Sequence, residues 1–222
     1  MKTLSKAVAV ASLLTAGVMS AQVANAEVSY NAAAVSDYVW RGFTQADKDP
    51  AMQGGADYAH ESGLSAGAWG STLFLDGDDG QSSYELDLYA SYGFKAADMD
   101  LSVGFIAYTY EESDSDFEEV NFGLAKGDFS GLVSVLLDAE EDAGYTYLEG
   151  AYDVALPQDL GLSLHAGYIL QENDDTVDNW FDMSATVGKS LEMLDVAATL
   201  SYNGQEDNDD DVLFFLTASK EF

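Results

Sequence analysis

The residues with the clearest chemical potential are carboxylates that stand inside otherwise apolar runs. In the run Tyr84–Phe94, Glu85 and Asp87 alternate with apolar residues, and Asp182 alternates with apolar residues after Trp180. Because successive side chains of a β-strand point to opposite faces, these carboxylates share one face of a sheet and the apolar residues share the other. Carboxylates that face inward in a closed sheet would favour cations over anions.

The candidate site residues follow from placing the apolar face of each run outward. A lipid-facing charge on a membrane strand costs about 2–4 kcal/mol for Lys or Arg, so an ionisable residue there is expected to face water inside the barrel. Eight of the nine candidates are acidic, and we expect the set to line a pore: Asp37, Arg41, Asp57, Glu85, Asp87, Glu119, Glu149, Asp153 and Asp182. The alternative is that they line a closed, water-filled interior, since eight-stranded barrels are filled whereas 16–18 strands leave a channel.

Arg41 is the only arginine of the chain. Its planar guanidinium can bind two carboxylate oxygens at once. If Arg41 faces inward, we expect it to pair with Asp37, Asp57 or Glu85 and to form a constriction. An ordinary salt bridge that anchors a loop is the alternative.

Other chemistry has little support in the residues. The chain has no Cys, which excludes thiol catalysis and Cys-based zinc sites. The two histidines, His60 and His165, lie apart from any Gly-x-Ser-x-Gly motif, so we predict no enzymatic activity, no cofactor and no specific metal site. Acid-rich segments such as Asp76–Gly80 and Asp207–Asp211 are expected to form a solvated surface, with weak binding of divalent cations as the alternative.

Twelve runs of roughly nine to eleven residues must position these side chains. This length matches a tilted membrane strand, whereas soluble strands usually have about five or six residues. The sequence therefore predicts an all-β fold, a transmembrane antiparallel up-and-down β-barrel of about 12 strands. The runs are Val28–Trp40, Met52–His60, Leu64–Phe74, Tyr84–Phe94, Leu101–Tyr110, Glu118–Lys126, Leu132–Asp138, Tyr145–Leu156, Leu162–Gln171, Trp180–Lys189, Leu194–Tyr202 and Val212–Phe222.

The breaks between the runs alternate in length and charge. Breaks after odd-numbered runs are mostly long and acidic, and those after even-numbered runs are mostly shorter, as expected for extracellular loops and periplasmic turns. The acidic breaks are Leu75–Ser83, Glu111–Phe117, Ala139–Gly144, Glu172–Asn179 and Asn203–Asp211. Aromatic residues near the run ends suit interfacial girdles, among them Tyr38, Trp40, Tyr84, Phe94, Tyr108 and Phe214.

The two ends of the chain carry patterns typical of export and assembly. Lys2 and Lys6, the apolar segment Ala7–Met19 and Ala24-Asn25-Ala26 predict a signal peptide over 1–26, whose cleavage leaves one barrel domain over 27–222. Six Lys and Arg then face 40 Asp and Glu, a net charge of −34, which excludes nucleic acid as a partner. The terminal Phe222 is typical of a strand that the barrel assembly machinery recognises.

One N-terminal segment also resembles a known family. The motifs are Ser36-Asp37-Tyr38-Val39-Trp40-Arg41-Gly42-Phe43-Thr44-Gln45, then Pro50-Ala51-Met52-Gln53-Gly54-Gly55-Ala56-Asp57-Tyr58, then Gly67-Ala68-Trp69. They resemble the TorF family, whose members are described as porins. The resemblance implies an outer-membrane barrel and indicates no catalytic residues or substrate.

These patterns together predict a porin-like channel in the outer membrane of a Gram-negative bacterium. We expect it to pass small hydrophilic solutes or ions by diffusion, with a preference for cations, and to contact outer-membrane lipid and lipopolysaccharide. A structural or adhesive barrel that does not conduct is the alternative. The sequence specifies neither the permeating solute nor the oligomeric state.

Overall fold

The computed structural model describes residues 26–73, 83–111, 116–137, 144–172, 178–205 and 212–222. Among these residues, one 3-10 turn at Pro157–Asp159 is the only helical element, and no helix is long and apolar enough to cross a membrane. The strands are β1 Glu27–Val35, β2 Val39–Trp40, β3 Phe43–Thr44, β4 Ala51–Ala59, β5 Leu64–Leu73, β6 Ser83–Ala96, β7 Met99–Tyr110, β8 Phe117–Lys126, β9 Phe129–Leu136, β10 Gly144–Ala155, β11 Leu160–Glu172, β12 Trp180–Ser190, β13 Asp195–Asn203 and β14 Val212–Glu221.

All strands except β2 and β3 form one closed antiparallel barrel of 12 strands. Each strand pairs with the next barrel strand along the chain, and β1 closes the sheet by pairing with both β4 and β14. The closing register runs from Asn31 opposite Glu221 to Val35 opposite Thr217. Closure gives every strand two partners and leaves no open sheet edge, as a membrane-spanning sheet requires. The predicted fold and strand count are confirmed.

The two faces of the barrel follow the alternation of the sequence. On β6, Tyr84, Leu86 and Leu88 point outward, while Glu85 and Asp87 are buried inside. The outer face continues around the barrel with exposed apolar side chains: Val103, Phe105, Phe122, Leu148, Leu164, Met183, Leu200, Phe214 and Leu216. An apolar surface of this extent is stable in lipid and not in water.

The two ends of the barrel differ in their connections. At one end, two-residue turns join β6 to β7 and β8 to β9. Ala97 and Asp98 both have positive φ, the conformation of the tight turns that match the strand twist. The strand ends that flank the predicted acidic breaks lie at the opposite end, and most residues of those breaks lie outside the described ranges, as do residues 1–25 of the predicted signal peptide.

The connection from β1 to β4 departs from the prediction. The predicted run Val28–Trp40 ends as a barrel strand at Val35, and residues 37–46, here called the lumen hairpin, fold into the barrel. Within the hairpin, β2 pairs with β3, the Thr44 hydroxyl donates to Asp37 at 2.6 Å, and the amide of Gln45 donates to the carbonyl of Tyr38 at 2.6 Å. These hydrogen bonds within the hairpin give its polar groups the partners that a barrel strand finds on neighbouring strands.

Candidate functional site

The lumen hairpin reaches across the interior of the barrel. Tyr38 packs edge-on against Trp69 of β5, and Phe43 packs edge-on against Trp180 of β12, each with ring centroids 5.6 Å apart. The strands β5 and β12 lie on nearly opposite sides of the 12-strand ring. A segment that touches both walls occupies the lumen, so the hairpin narrows the barrel at this level.

Arg41 at the hairpin tip forms a buried ion pair with Glu119 of β8. Its Nη1 lies 2.8 Å from Oε1 and its Nη2 donates to Oε2 at 2.9 Å. Glu119 also accepts hydrogen bonds from Tyr145 at 2.7 Å and from Tyr108 at 3.3 Å. Glu119 is not among the predicted partners Asp37, Asp57 and Glu85, because the hairpin directs the guanidinium to the β8 wall.

Aromatic rings hold the same guanidinium from its faces. The Arg41 Cζ atom lies 4.2 Å from the ring centroid of Trp40 and 4.2 Å from that of Tyr147 on β10. A desolvated cation over an aromatic ring gains about 2 kcal/mol or more. The ion pair and the rings together fix the hairpin tip at one position in the lumen.

A second polar cluster lies on β10, β11 and β12 and centres on His165. Its Nε2 is 3.3 Å from Glu149, and its Nδ1 is 3.4 Å from Asp182. The hydroxyl of Tyr147 donates to Asp182 at 3.0 Å and lies 3.3 Å from His165 Nε2. Tyr147 thereby links this cluster to Arg41, whose guanidinium it also contacts.

A third group of carboxylates lies on β4 and β6. Asp57 accepts hydrogen bonds from Tyr89 at 2.6 Å and from Asn31 at 3.3 Å. Glu85 and Asp87 are two residues apart on β6 and only 3% and 1% exposed. Only β7 separates Glu85 and Asp87 from β8, so these two carboxylates lie beside the wall that binds Arg41, and Asp57 lies two strands further away.

A cavity of about 170 Å³ opens between the hairpin and the β8–β13 wall. Its acidic and basic side chains are Arg41, Glu119, Glu149, Asp153, His165 and Asp182. Hydroxyl groups cover much of the rest, supplied by Ser130, Ser134, Ser163, Ser184, Thr186, Thr199 and Ser201. Carboxylate and hydroxyl oxygens can contact a hydrated cation, and they can form hydrogen bonds with a polar solute.

All nine predicted site residues lie inside the barrel, on its inner wall or on the hairpin. Asp37 belongs to the hairpin and not to the first strand, which corrects its predicted position, and Arg41 follows that strand as predicted. The structure brings Arg41 to Glu119 and brings Glu149 and Asp182 to one histidine. Inward position is thus observed for the set, while the lining of an open pore stays a prediction.

Sequence reasoning missed the aromatic part of the lumen. Tyr38, Trp40 and Tyr108 were expected in the interfacial girdles, but they pack around the hairpin inside the barrel. Tyr84, Phe94 and Phe214 do face outward. The inner position of Tyr108 could have been found by counting in steps of two from the other inward residues of β7, since a strand alternates without regard to chemistry.

The fold, its apolar outer face and its polar interior define a porin-like transmembrane β-barrel. The chain also matches, over residues 20–215, the family model described as "Bacterial protein of unknown function (Gcw_chp)". This chain belongs to that bacterial family. The resemblance to the TorF family stays a prediction, and no curated protein matches the chain.

Solved structures with the same fold share little sequence with this chain. The KdgM porin has a TM-score of 0.57 at 8% identity, covering 88% of this chain and 97% of that one. A chain from a study of the in-meso crystallisation of membrane proteins has a TM-score of 0.56 at 10% identity, covering 87% and 84%. Outer membrane phospholipase A from Escherichia coli has 12% identity, covers 88% and 91%, and has a TM-score of 0.42, too low for an inference. The first two similarities establish the fold alone.

Proposed function

We propose that this protein is an outer-membrane channel that passes small hydrophilic solutes or ions by diffusion and prefers cations. The proposal includes export by the signal peptide over 1–26, location in the outer membrane of a Gram-negative bacterium, and contact with lipopolysaccharide. It also includes recognition of the terminal strand by the barrel assembly machinery, and at most weak divalent binding by the outer acidic segments.

The charge of the interior carries the proposal. The predicted lumen set places eight carboxylates inside the barrel, and the cations that face them among the described residues are Arg41 and, when protonated, His165. Low-dielectric walls focus the field of such charges into the lumen and raise the local concentration of cations. An anion would cross the same region against this field.

The lumen hairpin sets the constriction of the proposed channel. Arg41 neutralises Glu119 at the level of the hairpin, so the remaining carboxylates act on the solute. The cavity beside the hairpin offers carboxylates and hydroxyls along the β8–β13 wall. A partly dehydrated cation can exchange water for these oxygens without binding tightly, which conduction requires.

An enzymatic function finds no support in the two histidines. Both ring nitrogens of His165 lie near carboxylates, and its contacts with Glu149, Asp182 and Tyr147 include no serine, threonine or cysteine. In the exposed turn after β4, His60 Nδ1 lies 2.9 Å from the Ser62 hydroxyl but also accepts the Ser62 amide at 3.2 Å. That nitrogen therefore closes a turn, and we propose that the protein is not an enzyme.

Planar-bilayer recording of the refolded protein, residues 27–222, tests the proposal. We expect discrete current steps from the wild type. A variant in which residues 38–44 are replaced by a Gly-Ser linker serves as the insertion control, and its steps should be larger. Silence of the wild type beside a conducting variant would contradict the proposal and would support the structural or adhesive barrel, with the hairpin as a permanent plug.

A further inference from the structure

Glu85 and Asp87 form a buried acidic pair that the ion pairs of the lumen leave out. Both point inward from β6, where Tyr110 and Tyr108 of β7 stand opposite Glu85 and Asp87 in the register. On the other flank, β5 places Ser71 opposite Glu85 and Trp69 opposite Asp87. Tyr38 of the lumen hairpin packs on Trp69 and interacts electrostatically with both carboxylates. Walls and hairpin thus enclose the pair.

Oxygen atoms of this enclosure lack hydrogen-bond partners. Glu85 Oε2, Asp87 Oδ1 and the hydroxyl oxygen of Tyr38 are all buried, and none has a hydrogen-bond partner of normal geometry within the described residues, although the Tyr38 hydroxyl is close enough to Glu85 to interact with it. Each of the three residues is at least nine-tenths buried. Buried polar atoms in native proteins almost always have a partner, and an orphan indicates water or an ion.

The charge of the pair favours an ion over water. Asp87 interacts with the negative charges of Glu85 and Glu119, and no positive side chain is among the largest electrostatic influences on Glu85 or Asp87. Arg41 is engaged by Glu119. A buried carboxylate is stable only when it is paired, protonated or bound to a cation. Water alone would leave the repulsion between two adjacent carboxylates in place.

We propose that Glu85 and Asp87 bind one hard divalent cation, with Ca²⁺ the best suited, beneath Tyr38 of the lumen hairpin. Ca²⁺ accepts oxygen ligands in irregular geometry and completes its shell with water. Two carboxylates make a weak site, so we expect a dissociation constant on the order of 10⁻⁴–10⁻³ M, as in extracellular calcium modules. The site does not depend on conduction, and its test is independent of the proposed channel function.

Terbium luminescence tests the site directly in the refolded barrel. Tb³⁺ replaces Ca²⁺ at oxygen sites, and excitation of Trp69, Tyr38 or Tyr110 would sensitise an ion bound between them. We expect a saturable signal in the wild type that Ca²⁺ displaces. The Glu85→Gln/Asp87→Asn variant should lose this signal or bind Tb³⁺ at least tenfold more weakly.

A control variant with the same change in net charge shows whether the signal comes from Glu85 and Asp87 or from other acidic residues of the protein. Asp57→Asn/Glu149→Gln neutralises two lumen carboxylates that already have hydrogen-bond partners, and it should keep the Ca²⁺-displaceable signal. Equal titrations of the two double variants, or a wild-type signal that Ca²⁺ does not displace, would overturn the proposal. If the first double variant does not fold, as judged by heat-dependent gel mobility, Asp87→Asn alone is measured with the same two outcomes.

Discussion

At the scale of single residues, the position of the lumen hairpin depends on the buried guanidinium of Arg41. Arg41 loses most of its hydration, since its side chain is 7% exposed and that of Glu119 is 1% exposed. Two N–O contacts and two ring faces replace the lost water. Replacing both members of such a pair by apolar residues can be neutral, but removing one member leaves the other charge buried and unpaired.

Arg41→Ala is therefore expected to destabilise the protein by about 3 kcal/mol or more. The variant should also show larger single-channel conductance, because the hairpin tip loses its attachment to β8 and β10. Chemical denaturation and bilayer recording measure the two effects. Lys95→Ala is the control, since it breaks the exposed pair with Asp100 (2.6 Å), which contributes about 0–1 kcal/mol. Equal stability and conductance in the two variants would contradict the role given to Arg41.

At the scale of elements, the lumen hairpin depends on a glycine. Gly42 has φ +86° at the tip, and a Cβ there would lie 2.9 Å from Asn203 Nδ2 and 3.0 Å from Asp182 Cβ. A larger residue would meet both a strained backbone and the barrel wall. The tip can reach β12 and β13 only because this position has no side chain.

Comparing Gly42→Ala with Gly127→Ala separates the effect of backbone strain from the effect of contact with the barrel wall. Gly127 also has positive φ, +64°, but a Cβ there meets nothing within 4 Å. Both variants should lose about 1–2 kcal/mol from the left-handed backbone alone. We expect a changed conductance for Gly42→Ala only, because only there must the tip move away from the wall. A parallel change in Gly127→Ala would show that conductance follows general stability instead.

The strands could be predicted from sequence and the hairpin could not. On β6 the alternation of Leu86 and Leu88 with Glu85 and Asp87 specifies both the strand and its two faces. Apolar side chains are stable against lipid, whereas carboxylates require a polar surrounding. After Val35 the segment Tyr38-Val39-Trp40 keeps a strand-like composition, so the end of β1 has no local signal. The partner of Arg41 depends on a contact 78 residues away, which spacing along one strand does not reveal.

At the scale of the whole molecule, the barrel has an apolar outer wall and a polar interior. The apolar wall accounts for membrane insertion, and a charge placed on it should oppose insertion. Leu88, 52% exposed near the middle of β6, lies on this wall. Leu88→Lys is expected to destabilise the folded barrel in lipid by about 2–4 kcal/mol.

Leu191→Lys is the control for that change. Leu191 is 50% exposed in the turn between β12 and β13, where a lysine can reach water. Folding into liposomes of defined composition, followed by urea titration, compares the two variants. A similar cost at both positions would contradict an apolar belt centred on the strands.

The reversal potential across a bilayer in a KCl gradient tests the central claim most directly. We expect the wild type to give a cation-selective potential. The Glu149→Gln/Asp153→Asn/Asp182→Asn variant, which removes three lumen charges beside the cavity, should shift the potential toward zero. An anion-selective wild type, or a cation-selective potential that the variant leaves unchanged, would contradict a lumen whose carboxylates select the permeating ion.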